Sequence, residues 1–433
     1  MSAALDELRA ALVAAFRAGL TELDPARLVE RALDAEAGAH RGRVFVIAAG
    51  KAAPGMAQGA LRRWGDRIAG GLVVTVAAPA LAARDETTSL ADPEEAALRP
   101  LRVMRAAHPI PDARSVDAAE AALAVAAALG PEDLLIALLS GGASALLAAP
   151  PPGVSLADKQ AVVAELLEAG APIQDVNLVR RHLSRIKGGR LAAAAAPARV
   201  LTLLMSDVVG GLPHDVGSGP TVPDPTRVEQ ALAALDRWAP RFARLAPAFS
   251  ESLKPADARR LEARVLADPD KLAERVAAAL ADRAGLRATA APAEDGDARA
   301  IVERRLALAR TLAPGEAVVI PCEPTLALPA HRGAGGRAGW IALAALRGLP
   351  PDVALLCAAS DGVDGSSGAA GAAVARAAAA AMDDRTIDAA LARFDDAVVH
   401  RALGTRVETG PTGHNLTDLH IVARDFPGGA RVR

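Results

Sequence analysis

Aromatic side chains are scarce in this sequence, whose 433 residues include six phenylalanines, three tryptophans and no tyrosine. Proteins that bind single-stranded nucleic acid stack its bases on aromatic rings, so this composition argues against that function. An excess of one charge is also lacking, because 49 Lys and Arg residues face 51 Asp and Glu residues. The resulting net charge of −2 leaves no basic footprint for nucleic acid or an anionic membrane. We therefore predict neither of these partners.

Cysteine and long hydrophobic runs are also nearly absent. Cys322 and Cys357 lie in apolar runs, and no CxxC pair or cluster of Cys and His indicates a disulfide scaffold or a zinc site. The alanine run 192–196 is interrupted well before the roughly 18 apolar residues that a membrane-spanning helix needs. The N-terminus lacks the basic segment of a signal peptide. We expect a cytoplasmic chain of two or three domains, at roughly 150 residues per domain.

The sequence does contain a regular alternation of apolar strands with helical patterns. VFVIAAG (44–50), DLLIALLSGG (133–142) and VLTLLMSD (200–207) are continuous apolar runs, which are typical of strands buried on both faces. Helical patterns separate them, and a second alternation begins near residue 268, after a stretch rich in proline and arginine. This order predicts an α/β fold with a mostly parallel sheet covered by helices on both faces.

Candidate binding residues follow these predicted strands. Ligands of open α/β sheets bind beyond the carboxyl ends of the strands, where this sequence places Lys51, His108, Ser140, Asp207 and Asp361. A lysine, hydroxyls on a glycine-rich turn and two acids suit a phosphorylated ligand with a divalent metal. Lys51 could instead extend from the sheet edge into solvent, and His108 has no evident metal partner, so a structural role is its default.

The segment SGGAS (140–144) has the composition of an anion-binding turn. Gly141 and Gly142 would let the backbone approach an anion closely, while Ser140 and Ser144 add hydroxyl donors. The alternative is a tight strand-to-helix turn without a ligand.

The segment 176–192 carries six basic side chains, counting His182, and contains Lys187-Gly188-Gly189. Each glycine costs a helix about 1 kcal/mol relative to alanine, which indicates a packing or ligand requirement. Asn177, Arg180 and Lys187 are therefore candidates for holding a carboxylate or phosphate. A solvated helix face is the alternative.

Three further candidates lie in loops. Asp207 opens a long loop, 205–226, and could hold Mg²⁺ or accept a substrate proton, unless it only forms an Asx turn. Arg337 lies in the glycine-rich loop 331–339, where a single arginine could bind a phosphate. SDGVDGSSG (360–368) has acids at 361 and 364 and could bind Mg²⁺ or a hydroxyl group.

Together, these segments resemble class II glycerate 2-kinases, whose C-terminal domain is called MOFRL. The resemblance extends from about residue 5 to residue 425. Seven motifs carry it, in this order: AAGKAA, HPIPD, SGGASALL, VNLVRRHLSRIKGGRLA, SDVV…GSGPTVPDPT, SDGVDGSSGAAG and TGPTGHNLTDL.

The resemblance implies a Rossmann-like N-terminal domain, residues 1–255, and a smaller α/β domain of the MOFRL type, residues 256–433. It places the active site in the cleft between them. It implies transfer of the γ-phosphoryl group of ATP to the 2-hydroxyl of D-glycerate, or of a close 2-hydroxy acid, to give 2-phosphoglycerate. Mg²⁺ or another divalent metal would assist, and a homodimer is one assembly to expect.

We combine the resemblance with the residues' own chemistry to assign roles. The expected catalytic residues are Lys51, Asp207 and Arg337. The expected nucleotide-binding residues are Ser140, Gly141, Gly142, Ser144, Lys187 and Gly188. The expected substrate-binding residues are Asn177, Arg180 and His108, and the expected metal ligands are Asp207 and Asp361.

The sequence departs from the family pattern in its C-terminal half. The loop that usually reads GGRNQE reads GGRAGW here, so Ala338, Gly339 and Trp340 replace three polar residues. This loss supports one alternative, a non-catalytic nucleotide- or metabolite-binding protein. A second alternative, a reductase acting on hydroxypyruvate, requires a dinucleotide fingerprint, but the glycines after the first strand stand at 50, 55 and 59.

Overall fold

The computed structural model describes residues 3–36, 40–77, 93–329 and 331–427. The chain forms two compact units: Pro25–Leu266, and Met1–Asp24 together with Ala267–Arg433. The first unit, Pro25–Leu266, contains helices α2 (Pro25–Asp34), α3 (Ala53–Trp64), α4 (Pro93–Ala97), α5 (Ala113–Ala127), α6 (Ala143–Leu146), α7 (Leu156–Glu168), α8 (Ile173–His182), α9 (Arg190–Ala195) and α10 (Val228–Trp238). Its strands are β1 (Val44–Ala49), β2 (Ile68–Val76), β3 (Arg102–Ala106), β4 (Leu134–Ser140), β5 (Arg199–Met205) and β6 (Leu261–Ala267).

The sheet of the first unit has the order β3-β2-β1-β4-β5-β6. β1 pairs in parallel with both β2 and β4, and β2–β3 and β4–β5 are also parallel. All seven residues of β4 are buried, as the apolar run predicted. The predicted mostly parallel, Rossmann-like sheet is confirmed. Its strand order reverses between β1 and β4, where such sheets open a ligand crevice.

Alanine-rich helices cover this sheet. α5 presents Ala118, Ala119, Ala122 and Ala126 to the core, and all four are fully buried at helical spacing. Asp112 caps the helix by accepting a hydrogen bond from the Ser115 amide at 3.3 Å. Small side chains let a helix lie close to the strands, so the core fills without the aromatic rings that the sequence lacks.

The second unit, Met1–Asp24 with Ala267–Arg433, is built on a mixed sheet. Its helices are α1 (Ala3–Glu22), α11 (Pro269–Ala284), α12 (Ala298–Thr311), α13 (Arg337–Ala345), α14 (Asp384–Arg393) and α15 (Asp396–Leu403). Its strands are β7 (Arg287–Ala290), β8 (Glu294–Asp297), β9 (Glu316–Thr325), β10 (Val353–Ala359), β11 (Gly371–Ala375), β12 (Arg406–Val407) and β13 (Asp418–Arg424).

The sheet order in the second unit is β12-β11-β10-β13-β9-β7, and β8 pairs with the far end of β9. β13 runs antiparallel to both β10 and β9. Its first residue, Asp418, therefore lies between Ala359, the last residue of β10, and Cys322 of β9. Cys322 and Cys357 are free and buried in this sheet.

α1 belongs to a different unit from the one that the predicted domain boundaries gave it, since those boundaries assigned residues 1–255 to one domain. α1 packs on α11 and belongs to the second unit. Leu8, Leu12 and Phe16 form its fully buried stripe. At Gly19, a Cβ would lie 2.5 Å from Val276 Cγ2, so the glycine permits close approach of the two helices. Local periodicity predicted the helix but could not identify the surface that buries it.

No helix among the described residues is long and apolar enough to cross a membrane.

Candidate functional site

The turns after β1 and β4 are hydrogen-bonded to each other at the point where the strand order reverses. The Lys51 amide donates to the Gly141 carbonyl oxygen at 2.9 Å, and the Ala52 amide donates to Ser140 Oγ at 3.0 Å. Gly50 has φ +130°, and a Cβ there would collide with Ser140 Oγ. These contacts fix Lys51 beside the predicted SGGAS loop, and they use the buried Ser140 hydroxyl as a structural acceptor.

His108 reaches the same loop from the end of β3. Gly142 has φ +88°, and a Cβ there would lie 3.3 Å from His108 Cδ2 and 3.5 Å from Lys51 Cγ. The structure thus brings together three predicted residues that follow three different strands. Their common position follows from the parallel sheet, because all its carboxyl ends meet at one edge.

Lys187 approaches the loop from its other side. Its Nζ lies 2.7 Å from the Ser144 carbonyl oxygen, 3.0 Å from Ser144 Oγ and 3.5 Å from the Gly217 carbonyl oxygen. Ser144 Oγ also lies 3.0 Å from Ser218 Oγ. Burial, with the nearby cations Lys159 and Arg180, lowers the pKa of Lys187 well below its ordinary value. The predicted phosphate ligand therefore joins two loops through its buried amino group.

Gly188 also has a structural part. Its amide donates to the Ser218 carbonyl oxygen at 3.0 Å, so this group is engaged by the backbone instead of being available to a phosphate. Its φ is +59°, and a Cβ would lie 2.9 Å from Ser252 Cβ. Close packing against the chain near residue 252 explains the glycine, and the role of Gly188 in nucleotide binding stays a prediction.

α8 carries two of the three predicted substrate-binding residues. Asn177 is buried and Arg180 partly buried, and burial lowers the pKa of the Arg180 guanidinium. The neighbouring Arg181, which sequence analysis did not single out, binds Asp215 Oδ1 and Asp224 Oδ2, each at 3.2 Å. It anchors to α8 the predicted long loop, which in the structure is the segment 206–227 between β5 and α10. No local signal distinguished the two adjacent arginines.

Asp207 lies two residues beyond β5, at the edge that also holds Lys51. In the register of β4 and β5, Met205 is opposite Ser140. Asp207 is partly exposed, and the following turn is closed by the Val208 amide, which donates to Ser206 Oγ at 3.2 Å. The predicted acid therefore belongs to the same strand-end edge as the glycine-rich loop.

Arg337, the first residue of α13, is held by Asp418 in the second unit. Arg337 Nε donates to Asp418 Oδ2 at 2.7 Å, and Nη2 donates to Oδ1 at 3.0 Å. Nη1 donates to the Pro324 carbonyl oxygen at 3.2 Å. Burial is the largest single influence on the pKa of Arg337 and acts to lower it, but the charge and hydrogen bonds of Asp418, together with the charges of Glu323 and Asp364, raise the pKa above its ordinary value. Asp418 was not among the predicted site residues.

Asp364 supports the beginning of α13. Its carboxylate accepts hydrogen bonds from the Ala338 amide at 3.0 Å and the Gly339 amide at 2.8 Å. Burial, together with the Asp418 charge, raises its pKa to about 7. Asp361, the predicted metal ligand, instead has Oδ1 accepting a hydrogen bond from the Val363 amide at 3.0 Å in an Asx-type turn. Asp364 is thus the buried acid of the two, although the sequence analysis named Asp361 as the expected metal ligand.

The altered GGRAGW loop is packed against the interior of its unit. At Gly339, a Cβ would collide with Asp396 Oδ2. Trp340 Nε1 donates to the Leu391 carbonyl oxygen at 3.1 Å, and its ring stacks on Phe394 with centroids 6.0 Å apart. Gly339 and Trp340, at two of the positions where the family pattern has polar side chains, therefore make packing contacts.

The described residues contain no cluster of three or more His, Cys, Asp or Glu side chains that could hold a metal ion. A dedicated protein cage for a metal is therefore not formed by this part of the chain. Mg²⁺ often uses one or two carboxylates together with substrate phosphates, and a single acid such as Asp207 fits that mode of binding.

Comparison with known proteins identifies two domains. Residues 11–254 match a domain of unknown function, DUF4147, and residues 316–418 match the MOFRL family. A putative hydroxypyruvate reductase of Agrobacterium vitis is 36% identical over 398 residues, covering 88% of this chain and 87% of the relative. The D-glycerate 2-kinase of Thermotoga maritima is 30% identical over 399 residues, covering 88% of this chain and 90% of the relative.

A solved structure supports the same assignment. The crystal structure of glycerate kinase from Thermotoga maritima superimposes with a TM-score of 0.82 at 28% identity, covering 97% of this chain and 100% of that chain. The agreement of both domain matches, full-length relatives and fold shows that the chain belongs to the class II glycerate 2-kinase family, with its MOFRL domain.

Proposed function

We propose that this protein phosphorylates D-glycerate at its 2-hydroxyl with ATP, giving 2-phosphoglycerate and ADP. The names of its relatives support a glycerate kinase. The observation that carries the proposal is the grouping of Lys51, His108 and the SGGAS loop at the strand-order reversal.

The SGGAS loop and Lys51 are the proposed phosphate-binding elements. Phosphoryl transfer depends mainly on positioning and on neutralisation of charge. Lys51 supplies a cation beside Gly142. The amides of Ala143 and Ser144 begin α6, where no earlier carbonyl within the helix can accept from them. These groups suit the oxygens of a nucleotide phosphate.

A cluster of basic side chains beside the loop suits the acceptor carboxylate. Burial lowers the pKa of Lys159, Arg180 and Lys187, the charge of Arg180 also lowers the pKa of both lysines, and among the described residues no carboxylate is a cause of these shifts. Burying the Arg180 guanidinium without a counter-ion is unfavourable, and a bound anion would relieve that cost. We assign Arg180 and Asn177 to the glycerate carboxylate, since Lys159 and Lys187 already donate to backbone oxygens.

Asp207 is the proposed group for the reacting hydroxyl. Its carboxylate would orient the 2-hydroxyl or accept its proton, and it would contact Mg²⁺ that enters with ATP. The metal would offset phosphate charge when bound. Arg337, oriented by Asp418, is the second proposed charge-neutralising residue.

The testing experiment is an ADP-release assay with MgATP and D-glycerate, in which the product is identified as the 2- or the 3-phosphate. Parallel reactions contain hydroxypyruvate with NADH, and ATP without acceptor. Formation of 2-phosphoglycerate supports the proposal. NADH oxidation without phosphorylation would establish the reductase instead, and ATP binding without either reaction would indicate a binding protein.

A further inference from the structure

Ser144, Lys187 and Ser218 form a connected group that phosphate binding does not explain. Lys187 Nζ and Ser218 Oγ each lie 3.0 Å from Ser144 Oγ. Lys187 and Ser218 are each only 1% exposed, whereas Ser144 is partly exposed. Of these three groups, therefore, the Ser144 hydroxyl is the one that a reagent can reach.

Lys187 Nζ contacts three oxygen atoms, and a neutral amine can make these contacts as well as an ammonium can. A neutral amine has two N–H donors and one lone pair, whereas an ammonium has three donors and no acceptor. Two neighbours of Nζ are the carbonyl oxygens of Ser144 and Gly217, which can only accept. The third neighbour is the Ser144 hydroxyl, which accepts from an ammonium but can donate to the lone pair of a neutral amine.

The surroundings of Lys187 favour the neutral form. The side chain is buried, and the charged groups that act on it are the cations Lys159 of α7 and Arg180 of α8. Burial and like charge both disfavour an ammonium. A neutral amine beside a serine hydroxyl is the arrangement by which a Ser–Lys pair generates a nucleophile.

We propose that Ser144 is an activated serine that attacks acyl and organophosphorus electrophiles, with Lys187 as its proton acceptor and Ser218 as a hydrogen-bond donor to Ser144 Oγ. With a fluorophosphonate, the Oγ–P bond forms as the P–F bond breaks and fluoride leaves. The hydroxyl proton passes to Lys187 Nζ and then to solvent. The activity is separate from phosphorylation of glycerate, because it needs neither ATP nor an acceptor acid.

The experiment is labelling of the full chain with a fluorophosphonate probe near pH 7.5, followed by peptide mapping. We expect one adduct on Ser144 in the wild type and none in Ser144→Ala. The peptide containing Ser155 is an internal control, because this exposed helix-capping serine has Asp158 as its hydrogen-bonding side-chain partner and no lysine. An absent adduct on Ser144, or equal labelling of Ser155, would contradict the proposal.

Lys187→Arg tests the proton acceptor directly. Arginine retains donors for the two carbonyl oxygens but cannot accept a proton at these pH values. We expect at least a 100-fold slower labelling rate, with thermal unfolding measured to verify that the variant is folded. Labelling at the wild-type rate would overturn the role of Lys187.

The wild-type pH profile gives a readout that does not depend on a folded variant. With a neutral Lys187 flanked by Lys159 and Arg180, the labelling rate should reach its plateau below pH 9. A rate that rises tenfold per pH unit up to pH 10 would show that Lys187 is an ordinary ammonium and would refute the proposal.

Discussion

Asp418→Asn should destabilise the second unit by releasing Arg337. Removing one partner of a buried ion pair costs about 3–5 kcal/mol. The Asp418 side chain is 3% exposed but that of Arg337 is 36% exposed, so water can replace part of the lost interaction. The substitution also removes a negative charge near the buried Asp364. We therefore expect a loss of about 1–3 kcal/mol in the free energy of unfolding, below the range for a fully buried pair.

The assay is urea unfolding followed by the fluorescence of Trp340, which lies on α13 beside Arg337. Trp64 and Trp238 belong to the first unit and are replaced by phenylalanine in every protein compared, so that a single tryptophan reports. Asp383→Asn is the matched control, because this residue caps α14 through Thr386 and asparagine caps a helix as well as aspartate does.

A double-mutant cycle with Arg337→Gln isolates the pair from other effects of the substitutions. We expect the sum of the two single losses in unfolding free energy to exceed the loss in the double variant by about 1–2 kcal/mol. The reason is that each single change leaves a charged group without its partner. Additive losses, or an Asp418→Asn effect no larger than that of Asp383→Asn, would refute the argument that Asp418 holds Arg337 in place.

Three further outcomes follow from the structure. Lys51→Ala should lower the turnover of 2-phosphoglycerate formation by about 10²–10³-fold while thermal unfolding stays near that of the wild type, because one preorganised cation is removed; a folded variant with wild-type turnover would contradict the role of Lys51. Asp396→Asn should make the slope of the unfolding free energy against pH more positive between pH 4 and 6.5, by up to about 1.4 kcal/mol per pH unit. Burial raises the pKa of Asp396 to about 7, so the folded wild type binds a proton in this range that the unfolded chain releases; an unchanged slope of unfolding free energy against pH would contradict this. Gly339→Gln should destabilise the second unit in thermal unfolding, because its Cβ would collide with Asp396 Oδ2, and the double variant with Asp396→Gly should recover part of the loss; a fully stable single variant would refute the packing account.

The sequence determined the architecture of the first unit and the edge at which its candidate site lies. Apolar runs predicted strands buried on both faces, and their alternation with helices predicted a parallel sheet. Once the sheet is parallel, the residues that follow β1, β4 and β5 must lie at one edge. Lys51, the SGGAS loop and Asp207 could therefore be placed together from their sequence positions alone.

The tertiary structure decided which of several similar side chains does what. Arg181 rather than Arg180 anchors the long loop, because Asp215 and Asp224 reach it from more than 30 residues along the chain. Asp364 rather than Asp361 supports α13, because the amides of Ala338 and Gly339 reach it from 26 and 25 residues along the chain. Sequence spacing gives the face of a helix or the end of a strand, but the partner that buries a charge comes from a distant segment.

Lys187 and α1 show the same limit most clearly. A basic segment with two glycines predicted a phosphate-binding lysine, yet its amino group contacts the loops of Ser144 and Gly217. The apolar stripe of α1 predicted a buried face, but only the packing against α11 assigned that helix to the second unit. Periodicity is encoded by neighbouring residues, whereas burial of a particular group depends on surfaces that meet only when the chain has folded.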